Sequence, residues 1–177
     1  MSNCYRSEYE AYHFLCDPAD NLCCDFEILT DKMASLNGLL RATVTDKKIQ
    51  EELLSICELL YHANPSLRTK VTLTKKEIEW LNTLFHRLRE ETSGKCSMFL
   101  LPQGSHGACL AHVLRSMCNE AVRMIYRHDE AGHITDPLLY DFFNLLSGYF
   151  YALALKLNKS ADIQEFEFVS RNYEIDV

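Results

Sequence analysis

The sequence predicts an all-α protein built as a five-helix bundle. Apolar residues recur at helical spacing through five long segments, each bounded by Pro, Gly or small polar residues. No segment alternates apolar and polar residues convincingly before FEFVSRNYEI at 166–175, which reads as a short extended tail. Hydrophobic residues make up 47% of the 177, charged residues 24%, with only 6 Gly and 4 Pro, a balance that favours one folded domain over disorder.

The elements follow in chain order. A short helical piece is expected over 7–15, ending before Asp17-Pro18, with a loop around Cys16–Cys24. The first long helix is expected over 25–43, with Ile28, Leu36, Leu39 and Leu40 turned inward. Thr45 is placed to cap the second, which runs to about residue 62 through Ile49, Leu53, Ile56, Leu59 and Leu60, and Asn64-Pro65 ends it. Thr74 and Glu77 form a capping-box pattern before Ile78, Leu81, Leu84, Phe85 and Leu88 of the third. The fourth starts near Ser105 and carries Leu110, Val113, Leu114, Met117, Ala121, Met124 and Ile125 to about residue 129. Thr135-Asp136-Pro137 opens the fifth, whose wide apolar arc suits a bundle centre or a subunit interface. The chain thus divides into an N-terminal Cys/His-containing segment (1–24), a helical bundle (25–160) and a C-terminal tail (161–177).

Charge and composition exclude several functions. A formal net charge of −7 argues against a nucleic-acid surface, because binding phosphodiesters needs clustered Lys and Arg. No run of 18 apolar residues is present, so no membrane span is expected. The polar, acidic start MSNCYRSEYEAYHFLCDP does not resemble a signal peptide, so the cytoplasm is the expected compartment and the eight cysteines are expected to be thiols or ligands rather than disulfides.

Four features could carry chemistry. Arg115 lies at the edge of the apolar stripe of the fourth helix, where a guanidinium either snorkels into water or meets a carboxylate or phosphate; Asp31 is a possible mate. The turn PQGSHG is either an ordinary cap through Ser105 with His106 and His112 as surface histidines nearby, or a place where the free N–H groups of the first turn receive an anion. His13, Cys16, Cys23 and Cys24, with Cys4 nearby, are soft ligands for zinc or iron, although HxxCx6CC is not a standard knuckle; Cys57, Cys96, Cys109 and Cys118 read as small buried hydrophobes. The aromatics Phe99, Phe142, Phe143, Tyr149, Phe150 and Tyr151 read as core, or as a wall for a flat cofactor.

The string MFLLPQGSHGACLAHVLRSMCNEAVR resembles the signature region of ATP:cob(I)alamin adenosyltransferases of the propanediol- and ethanolamine-utilisation type. Phe99, Pro102, His112, Arg115, Cys118 and Arg123 fall in register with it. TDKMASLNG resembles that family's first-helix VDELNSxIG, matching Asp31, Ser35 and Gly38, and NLLSGYFYALA resembles NRLSDYLFxLA, matching Asn144, Leu146, Ser147 and Tyr149. The resemblance implies a homotrimer of the family's five-helix bundles with its site between subunits. It implies transfer of the 5′-deoxyadenosyl group of ATP, with Mg2+, to the cobalt of cob(I)alamin. By position, Phe99 would lie beneath the corrin, and Arg115 would pair with Asp31 of a neighbouring subunit. His112, Arg123 and Asn144 would contact the bound molecules. A His/Cys cluster ahead of the bundle holds a metal in one branch, in a place comparable to His13, Cys16, Cys23 and Cys24. The chain departs from the propanediol-type enzymes by lacking their TxTGDxGxT phosphate loop, which the ethanolamine-type branch also lacks, and from the family's usual pattern by carrying Asn119-Glu120 where arginines follow the cysteine. Those departures imply the alternative function, a non-catalytic corrinoid carrier or sensor.

Overall fold

Five capped helices run through the computed structural model, which describes residues 5–18, 20–92 and 99–171. They are α1 (Leu22–Thr43), α2 (Lys47–Ala63), α3 (Lys75–Glu91), α4 (His106–Glu130) and α5 (Pro137–Ser160), with a 3-10 turn, Asn64–Leu67, after α2. Each start has a side-chain acceptor on an otherwise unpaired N–H. Asn21 receives Cys23, Asp46 receives Lys48 and Ile49, Ser105 receives Ala108, and Asp136 receives Leu138. Thr74 and Glu77 form the reciprocal capping box the sequence predicts. The second helix is capped by Asp46 rather than Thr45, and the first begins at Leu22, because Asn21 supplies the cap.

Helix α1 packs on α2 and α4, α4 on α5, and α5 on α3. Phe26 of α1 meets Phe143 of α5 edge-on at 5.7 Å, and Phe142, Tyr149 and Phe150 complete a fully buried aromatic centre. By length and composition α5 could cross a membrane, but over half of that stretch is buried within the bundle.

Two sequence expectations change. Ile28 and Leu39 are exposed, and the inner face of α1 is instead Phe26, Leu29, Met33, Ala34, Asn37 and Leu40. Val113 is likewise exposed on α4. The expected helix over 7–15 is a series of turns. Its side chains are drawn to Arg68, which pairs with Asp17 at 2.9 Å and Glu27 at 2.7 Å and lies 3.6 Å over the ring of Phe14, while Tyr12 donates to Glu27. This network outweighs a marginal nine-residue helix, which has little stability of its own.

The C-terminal segment returns to the bundle. Phe168 N–H donates to the Phe99 carbonyl at 2.7 Å and Leu101 N–H to the Phe166 carbonyl at 2.8 Å, around an antiparallel bridge of Leu100 and Glu167. The extended reading of the tail therefore holds at 166–168, and 172–175 lie outside the described residues. Buried Asn158 fastens the turn before α4: it accepts from Ser105 N–H and donates to the Gln103 carbonyl and to Glu165. Gly104 sits in that turn at φ 130°, and a Cβ there would collide with the Asn158 amide, so only glycine fits.

Candidate functional site

The α4 helix turns His112 and Arg115, one helical turn apart, toward α5. They border an open depression of about 610 Å³ lined also by Pro102, Cys109, Ser116 and Glu120. Tyr151 of α5 lies beside both, with its ring centroid 6.0 Å from that of His112 and 5.9 Å from the Arg115 guanidinium carbon.

Three buried nitrogens here are unsatisfied. His112 is only 5% exposed, yet neither ring nitrogen has a hydrogen-bond partner, and Arg115 Nε is also buried without one. Among the described residues Arg115 forms no ion pair. Burial, and then the charge of Arg115, push the His112 pKa down to about 4, so the imidazole is neutral near pH 7 and offers one donor and one acceptor. Cys118 is fully buried, and burial raises its thiol pKa well above the ordinary value, so it is packing rather than a nucleophile.

The other expected site residues scatter over the surface. Phe99 is 80% exposed at the mouth of the segment leading to Pro102. The pairing with 166–168 sets Phe99 opposite Phe168 and Leu101 opposite Phe166, and these four exposed side chains share one face of the ribbon. Phe99 and half-buried Tyr151 therefore leave the core group to which composition assigned them. Arg123 and Asn144 are exposed on α4 and α5, and the Asn144 amide donates to the Tyr140 carbonyl. Asn119, where the family resemblance has an arginine, accepts from Ser147 at 2.9 Å.

Asp31 is not at this depression. It stands exposed on α1 and accepts a 2.9 Å hydrogen bond from Tyr61 of α2. Ser35 and Gly38 lie one and two turns further along the same exposed face, beside Ile28 and Leu39. Within one chain, then, the α1 motif and the α4 motif belong to different faces.

The N-terminal ligand set does not assemble. Among the described residues, no three His, Cys, Asp or Glu side chains come together to hold a metal ion. Cys23 and Cys24 are buried in the first turn of α1, where Cys23 donates to the Leu67 carbonyl at 3.4 Å. Successive side chains on a helix diverge by about 100°, which turns the pair apart. His13 and Cys16 lie in the turns bound to Arg68, so a zinc or iron centre on His13, Cys16, Cys23 and Cys24 does not fit this arrangement; Cys4 lies outside the described residues. Of the cysteines read as buried, Cys118 is, Cys57 is half-buried and Cys109 is exposed, while Cys96 lies outside the described residues.

Sequence reasoning singled out Tyr151 only within a group of aromatics read as core or as a wall for a flat cofactor, and it gave Tyr61, Phe166 and Phe168 no place near the candidate site, because nothing local separates an aromatic in the core from one at a rim.

Comparison with known proteins identifies relatives of this chain by sequence and by fold. The curated corrinoid adenosyltransferase of Bacillus subtilis (strain 168) is 27% identical over 147 residues, covering 78% of this chain and 75% of that protein. A variant PduO-type ATP:corrinoid adenosyltransferase from Lactobacillus reuteri, solved with cobalamin and ATP, superposes with a TM-score of 0.68 at 19% identity, covering 86% of this chain and 84% of that one. A second variant of that enzyme, solved with ATP, gives a TM-score of 0.71 at 20% identity over 86% and 88% of the two chains. The family model for cobalamin adenosyltransferase matches residues 25–157, which span all five helices and both surface motifs, and the chain therefore belongs to the cobalamin adenosyltransferase family.

Proposed function

We propose that this protein transfers the 5′-deoxyadenosyl group of ATP to the cobalt of a reduced corrinoid, in the cytoplasm, at a site between the subunits of a homotrimer. The observation that carries the reading is the set of buried, unpartnered nitrogens on His112 and Arg115 at an open depression. Such groups cost roughly 1–3 kcal/mol each when left unpaired, which favours a bound or docked partner that completes them. Family membership supplies the chemistry, and the Lactobacillus reuteri enzyme solved with cobalamin and ATP supplies the ligand classes.

In the step itself the cobalt(I) electron pair attacks C5′ of ATP, a Co–C bond forms, and the C5′–O bond breaks with its electrons leaving on triphosphate. Cobalt is the nucleophile, so the protein's part is positioning and exclusion of water. Arg115 meets Asp31 of a neighbouring copy and holds the nucleotide side, where ATP enters with Mg2+. That pairing accounts for an arginine without a mate on one face and a carboxylate exposed on another. Neutral His112 hydrogen-bonds a polar group of the bound molecules, and Arg123 and Asn144 extend that contact along α4 and α5. Phe99 supplies an apolar surface beneath the corrin, widened by Phe166 and Phe168. Displacing water and the lower ligand there favours the four-coordinate cobalt that is easier to reduce.

The second reading is a corrinoid carrier or sensor, favoured by one observation: Glu120 puts a carboxylate on the rim where triphosphate would lie. Anaerobic incubation with chemically reduced cobalamin, ATP and Mg2+ separates them. Appearance of the adenosylcobalamin spectrum supports transfer, and tight corrinoid binding without conversion supports the carrier.

A further inference from the structure

We infer that Tyr61 is a positioning residue for Asp31, holding its carboxylate in the orientation that receives the guanidinium of a neighbouring copy. The inference rests on the cross-subunit role of Asp31 given above. Tyr61 sits in the last turn and a half of α2, 30 residues from Asp31 in sequence, and donates its phenol to Asp31 Oδ1 at 2.9 Å. Both side chains are exposed, Tyr61 by 59%. A hydrogen bond between exposed groups adds little to folding. Its larger effect is on geometry. An exposed aspartate rotates freely about two torsions, whereas an arginine fork needs both carboxylate oxygens presented in one plane. Fixing Oδ1 from α2 sets that plane and leaves Oδ2 open. Tyr61 is suited to this because a ring with two torsions loses little entropy in holding the bond. The same bond to Asp31 raises the phenol pKa, so Tyr61 remains the donor at neutral and mildly alkaline pH.

The surrounding surface fits a second copy of this chain as the counterpart. Ile28 and Leu39 of α1 and Leu54 of α2 are exposed apolar side chains on the same pair of helices as Asp31 and Tyr61. A carboxylate preset by a neighbouring phenol at such a surface is arranged before a docking partner arrives, which lowers the ordering cost of docking.

The experiment is a double-mutant cycle on the full chain, reading transfer kinetics, melting temperature and oligomer mass. Tyr61→Phe should lower kcat/KM for ATP about 10-fold, the loss of one hydrogen bond to a charged group, while the melting temperature stays at that of the parent. In an Asp31→Ala background the same substitution should have no further effect, because Tyr61 then has nothing to orient. If Asp31→Ala impairs transfer but Tyr61→Phe matches the parent, or if the two losses simply multiply, the positioning role is wrong and the site stands. If Asp31→Ala itself transfers and assembles like the parent, the cross-subunit reading of Asp31 fails, and the role of Tyr61 with it.

Discussion

Arg115 and His112 show how one helical turn can concentrate unmet hydrogen-bonding capacity. Arg115 has an aromatic ring near its guanidinium and no carboxylate among the described residues. If Arg115 meets Asp31 across the proposed interface, Arg115→Ala is expected to reduce transfer by at least 100-fold and to weaken assembly, since Asp31 enclosed there without its mate costs about 3–5 kcal/mol. Arg115→Lys should rescue little, because a point charge does not replace a two-pronged fork. Steady-state kinetics and light scattering on the two variants check this, and a parent-like Arg115→Ala would place the arginine outside the site. His112 gives a pH prediction. Its folded pKa of about 4 lies below the ordinary histidine value near 6.5, so between those limits the unfolded chain binds the extra proton. The stability associated with neutral His112 is complete above about pH 6.5 and is lost as pH falls toward 4. Melting curves from pH 7 to pH 4 should therefore fall less steeply for His112→Asn than for the parent.

At the scale of elements, the bundle depends on polar links as well as its aromatic centre. Arg87 of α3 grips buried Glu52 of α2 with two hydrogen bonds, at 2.5 and 2.7 Å, and Tyr149 of α5 adds a longer one at 3.4 Å. The three side chains tie α2, α3 and α5 at one level of the bundle. The Glu52 carboxylate explains the direction of the Arg87 pKa, which is raised chiefly by that hydrogen bond. Arg87→Ala should destabilise by about 3–5 kcal/mol, because it strands a buried carboxylate. Replacing Glu52 and Arg87 together with Leu and Met should cost much less than that single change, since an apolar pair of similar volume leaves no unpaired charge. Urea denaturation of both variants at pH 7 measures the difference. The 99–105 segment is set by the same logic. Asn158 holds its turn and the return of 166–168 holds its other end, so Phe99 is presented by two fixed anchors rather than by a free loop.

For the whole molecule, the separation of the α1 and α4 motifs is the decisive fact. Asp31, Ser35 and Gly38 face outward on one side, and His112 and Arg115 border a depression against α5. A trimer in which each copy lends its α1 face to the next copy's α4 depression brings the motifs together in a closed ring. Light scattering should give a mass near three times 20.5 kDa. Asp31→Arg should shift the protein toward monomer by setting like charges against Arg115, and Asp31→Arg with Arg115→Asp should restore assembly without transfer, because triphosphate would then meet a carboxylate. A parent variant that sediments as a monomer under all conditions would remove the intersubunit site.

The sequence by itself determined the five helices and most of their ends. Periodicity and capping residues are local, and Thr74 with Glu77, Ser105, and Asp136 before Pro137 act within one turn of chain. It also determined the motifs, because Phe99, His112, Arg115 and Asp31 are legible as residue types at set spacings. Tertiary structure decided which face each helix buries: Ile28 and Leu39 satisfy an apolar pattern as well as Leu29 and Leu40 do, and only packing against α2 and α4 turns one pair out and the other in. It replaced the expected helix at 7–15 with turns, because Arg68, 51 residues beyond Asp17, draws that segment into ion pairs no local pattern reveals. It also dispersed the expected metal ligands, since proximity in sequence does not converge side chains that a helix points apart. Tyr61 beside Asp31 and Tyr151 beside Arg115 belong to the same class: each partner lies on another helix, and contacts between helices exist only once the chain has folded.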